Sequence, residues 1–158
     1  MPDLTKTVIA RESPLTADVA FLMERHTADM HAETPPESIH MMDAGALAIP
    51  QVSFFVMREA GQAIGMGAFK RLDATHAEIK SMHVLHEVRG RGLSKAMLQH
   101  LEAEARGMGV TRLSLETGAE PIFVPARELY ARAGYTICPP FGSYGPDPHS
   151  VFMTKALV

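Results

Sequence analysis

The sequence predicts a mixed α/β sheet in a single domain spanning residues 1–158. Three observations predict it. Strand-patterned runs come first and are joined by short turns; later runs are separated by amphipathic helix-length segments; and 158 residues suffice for one substantial core. No internal repeat or low-complexity tract interrupts the order β-α-(α)-β-β-β-α-β-α-β-β.

Lys6–Ala10 reads as a short strand. Ser13-Pro14 supplies an N-cap and a proline at the first helical position, and Leu15–His31 continues as a helix carrying Val19, Leu22 and Met23. The stretch Glu33–Pro50, with Pro35-Pro36, reads either as a short helix over Ser38–Ala46 or as a substrate-facing loop. Ser53–Arg58 and Ala63–Lys70 are strands around the turn Glu59-Ala60-Gly61-Gln62, and Asp73-Ala74-Thr75 turns into the strand Ala77–Val84. Gly92–Arg106 places Leu93, Met97, Leu98, Leu101 and Ala105 at helical spacing and ends at Gly107 and Gly109. Arg112–Glu116 is a strand and Pro125–Ala133 a helix stopped by Gly134; Tyr135–Cys138 and Val151–Lys155 close the sheet.

Composition narrows the function classes. A net charge of −3 and a pI near 6.2 exclude nucleic-acid binding by bulk charge. Lysines and arginines are scattered, so no membrane-surface patch forms, and no run approaches the roughly 20 apolar residues of a membrane span. The start MPDLTKTVIARESPLTADV lacks the apolar segment of a signal peptide. The one cysteine, Cys138, excludes a disulfide within the chain and a cysteine-based zinc site, and reads as a small buried hydrophobe. His83 and His86 converge only on a helix, so no metal is expected there. A cytoplasmic globular domain is the expectation.

The most informative segment is HAEIKSMHVLHEVRGRGLSKAMLQ, residues 76–99. A strand breaks into Arg89-Gly90-Arg91-Gly92, which opens directly into a helix with no Asp or Glu between Gly90 and Gln99. The first N–H groups of a helix lack partners and carry about half a positive charge, so this start is open to an external anion. Glycines allow close backbone approach, and arginines add charge-assisted contacts. The spacing is neither that of a Walker A loop nor that of a dinucleotide-binding G-x-G-x-x-G.

Arg89-Gly90-Arg91-Gly92-Leu93-Ser94 resembles the [QR]-x-x-G-x-[GA] acetyl-CoA loop of the GCN5-related N-acetyltransferase (GNAT) family, with Ser at the final small position. About 40 residues later, Leu129-Tyr130-Ala131-Arg132-Ala133-Gly134-Tyr135 is similar to the family's L-Y-x-x-x-G-[FY] signature. The likeness covers roughly Ser53–Lys155 and extends to bacterial small-molecule acetyltransferases. It implies a mostly antiparallel central sheet flanked by helices and acetyl-CoA as co-substrate. In that reading Arg89, Gly90, Arg91, Gly92, Leu93, Ser94 and Lys95 hold the pyrophosphate. Main-chain groups of Met82, His83 and Val84, on a strand splayed from its neighbour, bind the pantetheine arm and polarise the thioester carbonyl. The family often carries an Asn after the fifth strand; here that strand reads Leu115-Glu116-Thr117-Gly118.

The resemblance gives two residues catalytic roles. Tyr130 protonates the departing thiolate; otherwise it is a helix aromatic packed on the sheet. Ala77-Glu78-Ile79 is similar to the Ala-Glu-Ile that supplies a general base in the histone-acetylating branch; otherwise Glu78 is an ion-pair partner of Lys80 or of a cross-strand arginine. Strict alternation places Glu78, Lys80, Met82 and Val84 on one face. Glu116 reads as facing an amine substrate or as solvated.

The function expected is acetyl transfer to a small-molecule primary amine in a ternary complex. Its rivals are a non-catalytic acyl-CoA-binding module and a protein- or tRNA-directed acetyltransferase. Acceptor specificity is expected in Glu33–Pro50, with Glu33 and His40 as candidate contacts, and in Pro139–Pro148, with Phe141 and Tyr144. The resemblance also allows a homodimer.

Overall fold

In a computed structural model the described residues are 6–32, 34–39 and 42–157. They form β1 (Thr7–Arg11), α1 (Ala17–His31), α2 (Ala44–Leu47), β2 (Val52–Glu59), β3 (Gln62–Arg71), β4 (His76–Val84), α3 (Leu93–Gly107), β5 (Arg112–Gly118), α4 (Val124–Arg132), β6 (Thr136–Ile137) and β7 (Ser150–Ala156). The strands make one sheet in the order β1-β2-β3-β4-β5-β7-β6. Every neighbouring pair is antiparallel except β4 and β5. The expected short helix over Ser38–Ala46 is instead a 3-10 turn at Pro36–Ser38 and the four-residue α2, capped by the Asp43 side chain on Ala46 N–H at 2.7 Å. Glu33 and His40 lie outside the described residues.

Each crossover buries a helix on the sheet. The apolar stripe of α3, Leu93, Met97, Leu98, Leu101 and Ala105, packs with Phe55, Phe69, Ile79, Leu113 and Leu115 on one face. Each such side chain removed from water contributes about 1.5–3 kcal/mol. Gly67 lets α3 sit close to β3, because a Cβ there would meet Met97 at 2.9 Å. On the other face, Val19 and Leu22 of α1 and Leu47 of α2 cover Phe54, Val56, Met66 and Ala68. The connection from β5 through α4 leads to β6 at the sheet edge, and β7 then inserts between β5 and β6. Buried Glu102 ties α3 to the last strands through the Tyr135 hydroxyl and Lys155 Nζ, each at 2.9 Å.

Two irregularities in β4 create the site. Its parallel ladder with β5 covers only His76, Ala77 and Glu78, opposite Arg112, Leu113 and Ser114. Beyond Glu78 the two strands separate into a cleft. Along its other edge, β4 pairs Met66 with His83 but Ala68 with Lys80, so two residues of β4 oppose Gly67 alone. Ser81 occupies this bulge with φ +55°. An extra residue inverts the alternation that follows. Ala77 and Ile79 face the α3 side, and after the bulge Val84 and Met82 face it too. The expectation that Glu78, Lys80, Met82 and Val84 share a face is therefore corrected: Ser81 divides them.

Candidate active site

The end of the site that is open to an anion is built at the start of α3. Gly92 is its N-cap, with φ +76°, and Gly90 has φ +83°; a Cβ at either would meet nothing, so backbone conformation rather than crowding selects glycine. The first helical hydrogen bond runs from Ala96 N–H to the Gly92 carbonyl at 3.1 Å. It leaves the N–H groups of Leu93, Ser94 and Lys95 ahead of the helical ladder, with no acidic residue in the first turn. These residues, with Arg89, Gly90, Val84 and Met82, line a cleft of about 830 Å³ that runs to Tyr130. The donor set and the space fit a phosphorylated, extended co-substrate such as acetyl-CoA.

The two arginines are placed differently. Arg89 lines the cleft, its Nε donating to the Val84 carbonyl at 3.0 Å and its Nη2 to Asp29 at 3.0 Å. Arg91 is turned away into a bidentate pair with Glu59 and is not among the residues lining the cleft. His83 carries more than main-chain groups. Its ring is buried and packs edge-on against His26 with centroids 5.2 Å apart, and its Nδ1 is 3.8 Å from Asp29. Burial pushes both histidines down to about 4, so both rings are neutral near pH 7.

A second, smaller hollow of about 130 Å³ opens where β4 and β5 part. Glu78, Lys80 and Glu116 contribute its charged groups, and Tyr130 and Tyr144 its phenols. Glu78 is buried, and its Oε2 is the atom contacted by both Lys80 Nζ, at 3.1 Å, and the Tyr144 hydroxyl. The ion pair with Lys80 that the sequence offered as a purely structural role is thus present, with a third member that only the folded chain brings in. Tyr144 comes from the segment between β6 and β7, where it packs edge-on against Phe141 and tilted against Phe152.

Tyr130 lines both hollows, as do His26, Met30, Met82, Phe123 and Ala126. Burial, reinforced by the Glu116 carboxylate, pushes its phenol up to about 12. Its hydroxyl has no hydrogen-bond partner among the described residues. Phe123 lies against the end of β5: a Cβ on Gly118 would fall 2.1 Å from its ring. Sequence reasoning missed Phe123 and His26, which carry no motif, and gave Tyr144 to the acceptor without its contact to Glu78. Cys138 lines neither hollow. Among the described residues no group of three or more His, Cys, Asp or Glu could hold a metal ion, and no helix is long and apolar enough to cross a membrane.

A helix start open to an anion, leading into a cleft between two parting strands with a buried tyrosine at its far end, agrees with the chain's likeness to known proteins. Residues 20–135 match the Acetyltransferase (GNAT) family. The chain belongs to that family. It is 45% identical over 139 residues to the uncharacterized N-acetyltransferase YsnE of Bacillus subtilis, covering 88% of this chain and 92% of that one. It is 40% identical over 162 residues to an IAA acetyltransferase of Azospirillum brasilense, covering 99% and 100%. Among solved structures, a Klebsiella pneumoniae protein assigned as an acyl-CoA N-acyltransferase superposes with a TM-score of 0.79 at 30% identity, over 98% of this chain and 99% of that one. This GNAT protein is accordingly an acyltransferase.

Proposed function

We propose that this GNAT protein transfers an acetyl group from acetyl-CoA to a primary amine of a small molecule, directly, within a ternary complex. The observation that carries this reading is the meeting of the two hollows at Tyr130: a long cleft leading from the α3 N-terminus and a small, acid-lined one beside Glu78 and Glu116. An acyl donor laid along the first presents its thioester to an amine held in the second. No cysteine lies at the junction to carry the acetyl group, which supports one transfer rather than two.

Bound acetyl-CoA supplies an activated acyl group and a thiolate leaving group. The chain supplies the rest. The helix start at Leu93–Lys95 and Arg89 bind phosphate oxygens, and the β4 edge past the Ser81 bulge offers main-chain donors to the pantetheine arm and the thioester carbonyl. Glu78, directly or through water, accepts a proton from the acceptor ammonium. Tyr130, held protonated by burial, donates one to the thiolate. Holding both reactants in one cleft removes much of the entropic barrier.

The volume near 130 Å³ favours a compact acceptor over a protein side chain in an extended segment or a tRNA end. Calorimetric titration with acetyl-CoA, followed by a CoA-release screen over primary amines, tests the proposal. Micromolar binding that is lost in Gly92→Glu, together with turnover of at least one amine, supports it. Absence of binding to the unaltered protein sinks it. Binding without turnover of any amine turns the reading to the non-catalytic module.

A further inference from the structure

The Glu78 carboxylate is held asymmetrically. Its Oε2 meets both the Lys80 ammonium, 3.1 Å away, and the Tyr144 hydroxyl, while Lys80 Nζ also donates to that hydroxyl at 2.7 Å. Among the described residues Oε1 has no hydrogen-bond partner, and Glu78 lines the smaller hollow. The segment that brings Tyr144 here is anchored by rings: Tyr144 packs edge-on against Phe141 and tilted against Phe152 of β7, each with centroids 5.3 Å apart, and Lys80 Nζ lies 5.3 Å from the Tyr144 ring centre.

We infer that Tyr144 and Lys80 are positioning residues: they clamp one oxygen of Glu78 so that the other faces the acceptor amine. The inference rests on the N-acetyltransferase reading with Glu78 as proton acceptor. A carboxylate free to rotate about its last torsion would divide its lone pairs among several directions. Two donors on one oxygen fix that torsion. In the transfer step the acceptor N–H bond breaks, its electron pair stays on nitrogen, and the proton passes to Oε1 while Oε2 remains clamped. The clamp thereby aims the accepting oxygen of Glu78 at the acceptor.

The other titratable or charged groups facing this carboxylate are Lys70 of β3, its register partner, His76 of β4, Glu116 of β5, His26 of α1 and Tyr130 of α4. Lys80 and Tyr144 contact the carboxylate directly.

Tyr144→Phe keeps the ring among Phe141 and Phe152 and removes only the hydroxyl, and Lys80→Met keeps most of the stem. Carbon-13 NMR of the Glu78 Cδ at fixed pH, identified by its loss in Glu78→Gln, reads the carboxylate in each protein without any acceptor. The expected result is a displaced Cδ resonance in both Tyr144→Phe and Lys80→Met as the released carboxylate turns. With the best amine from the screen, kcat falls about tenfold in Tyr144→Phe while acetyl-CoA affinity is unchanged. Lys80→Arg restores part of the loss in Lys80→Met. An unmoved Cδ resonance in both variants overturns the clamp. If the resonance moves while no amine is turned over even by the unaltered protein, the clamp stands and the acetyltransferase reading fails.

Discussion

Asp29 of α1 and Arg89 of the glycine turn before α3 are joined at 3.0 Å, and the same carboxylate lies 3.8 Å from His83 of β4. Helix, turn and strand, which each contribute to the long cleft, thus meet on one acid that a phosphate oxygen would have to displace from Arg89. Both partners are nearly half exposed, at 44% and 46%, and exposed pairs contribute about 0.2–1 kcal/mol. Asp29→Asn is therefore expected to tighten acetyl-CoA binding by about two- to fivefold, with the difference shrinking at high salt. Calorimetry at low and high ionic strength checks this; weaker binding in the variant would assign Asp29 to ligand contact instead.

Gly92 takes φ +76° with open space around its Cα. Gly92→Ala pays only the backbone term, about 1–2 kcal/mol, and should lower Tm by about 2–6 °C while leaving the helix start able to bind. Thermal melts with and without acetyl-CoA separate this from Gly92→Glu, where the carboxylate occupies the anion's place.

All three tyrosines, Tyr130, Tyr135 and Tyr144, are raised above the ordinary phenol, each chiefly by burial. Native phenols stay neutral where unfolded ones ionise, so the unfolded chain binds fewer protons and stability falls as pH rises above about 10. Each phenol steepens the fall by up to about 1.4 kcal/mol per pH unit. Absorbance near 295 nm should show no phenolate up to pH 10, and then a rise coincident with loss of circular dichroism. A separate native titration near pH 10 would contradict the burial.

His26 and His83 have the opposite dependence. Their folded values near 4 lie below the unfolded value near 6.5. Neutral rings are required for the fold, so their contribution is complete above about pH 6.5 and lost as pH falls toward 4. Urea melts from pH 7 to 4.5 should lose stability more steeply than those of a His26→Asn, His83→Asn double variant. Equal slopes would place the acid sensitivity elsewhere.

Tyr130→Phe removes the proposed proton donor without disturbing its edge-on packing with Tyr135, 5.9 Å away. A kcat lowered by about 10²-fold with unchanged acetyl-CoA affinity is expected, read by CoA release. Unchanged kcat would leave the thiolate to be protonated by water.

The strands, the two crossovers and the glycine turn at Arg89–Gly92 were legible because they obey local rules. Period two, period 3.6 and glycines at positive φ all act within a few residues. Lys6–Ala10 and Tyr135–Cys138 shift by one residue or shorten to Thr136–Ile137 because edge strands are bounded by their partners, which local pattern does not contain. The Ser81 bulge escaped because serine carries no sign of left-handed backbone; it exists where β3 offers Gly67 and α3 presses close. Arg91 looked equivalent to Arg89 in sequence, yet a single residue of turn sends it to Glu59. Tyr144, 66 residues from Glu78, reaches it only through the insertion of β7 between β5 and β6.

The bulge also partitions a single strand between two clients. In the proposed reading, residues before Ser81 serve the acceptor's hollow and His83 and Val84 the acyl donor's cleft, with Met82 bordering both. Changes at Glu78 or Lys80 are then expected to retune which amine is taken without disturbing His83 or Val84. A deletion of one residue here would exchange the two sets and leave neither ligand its own wall.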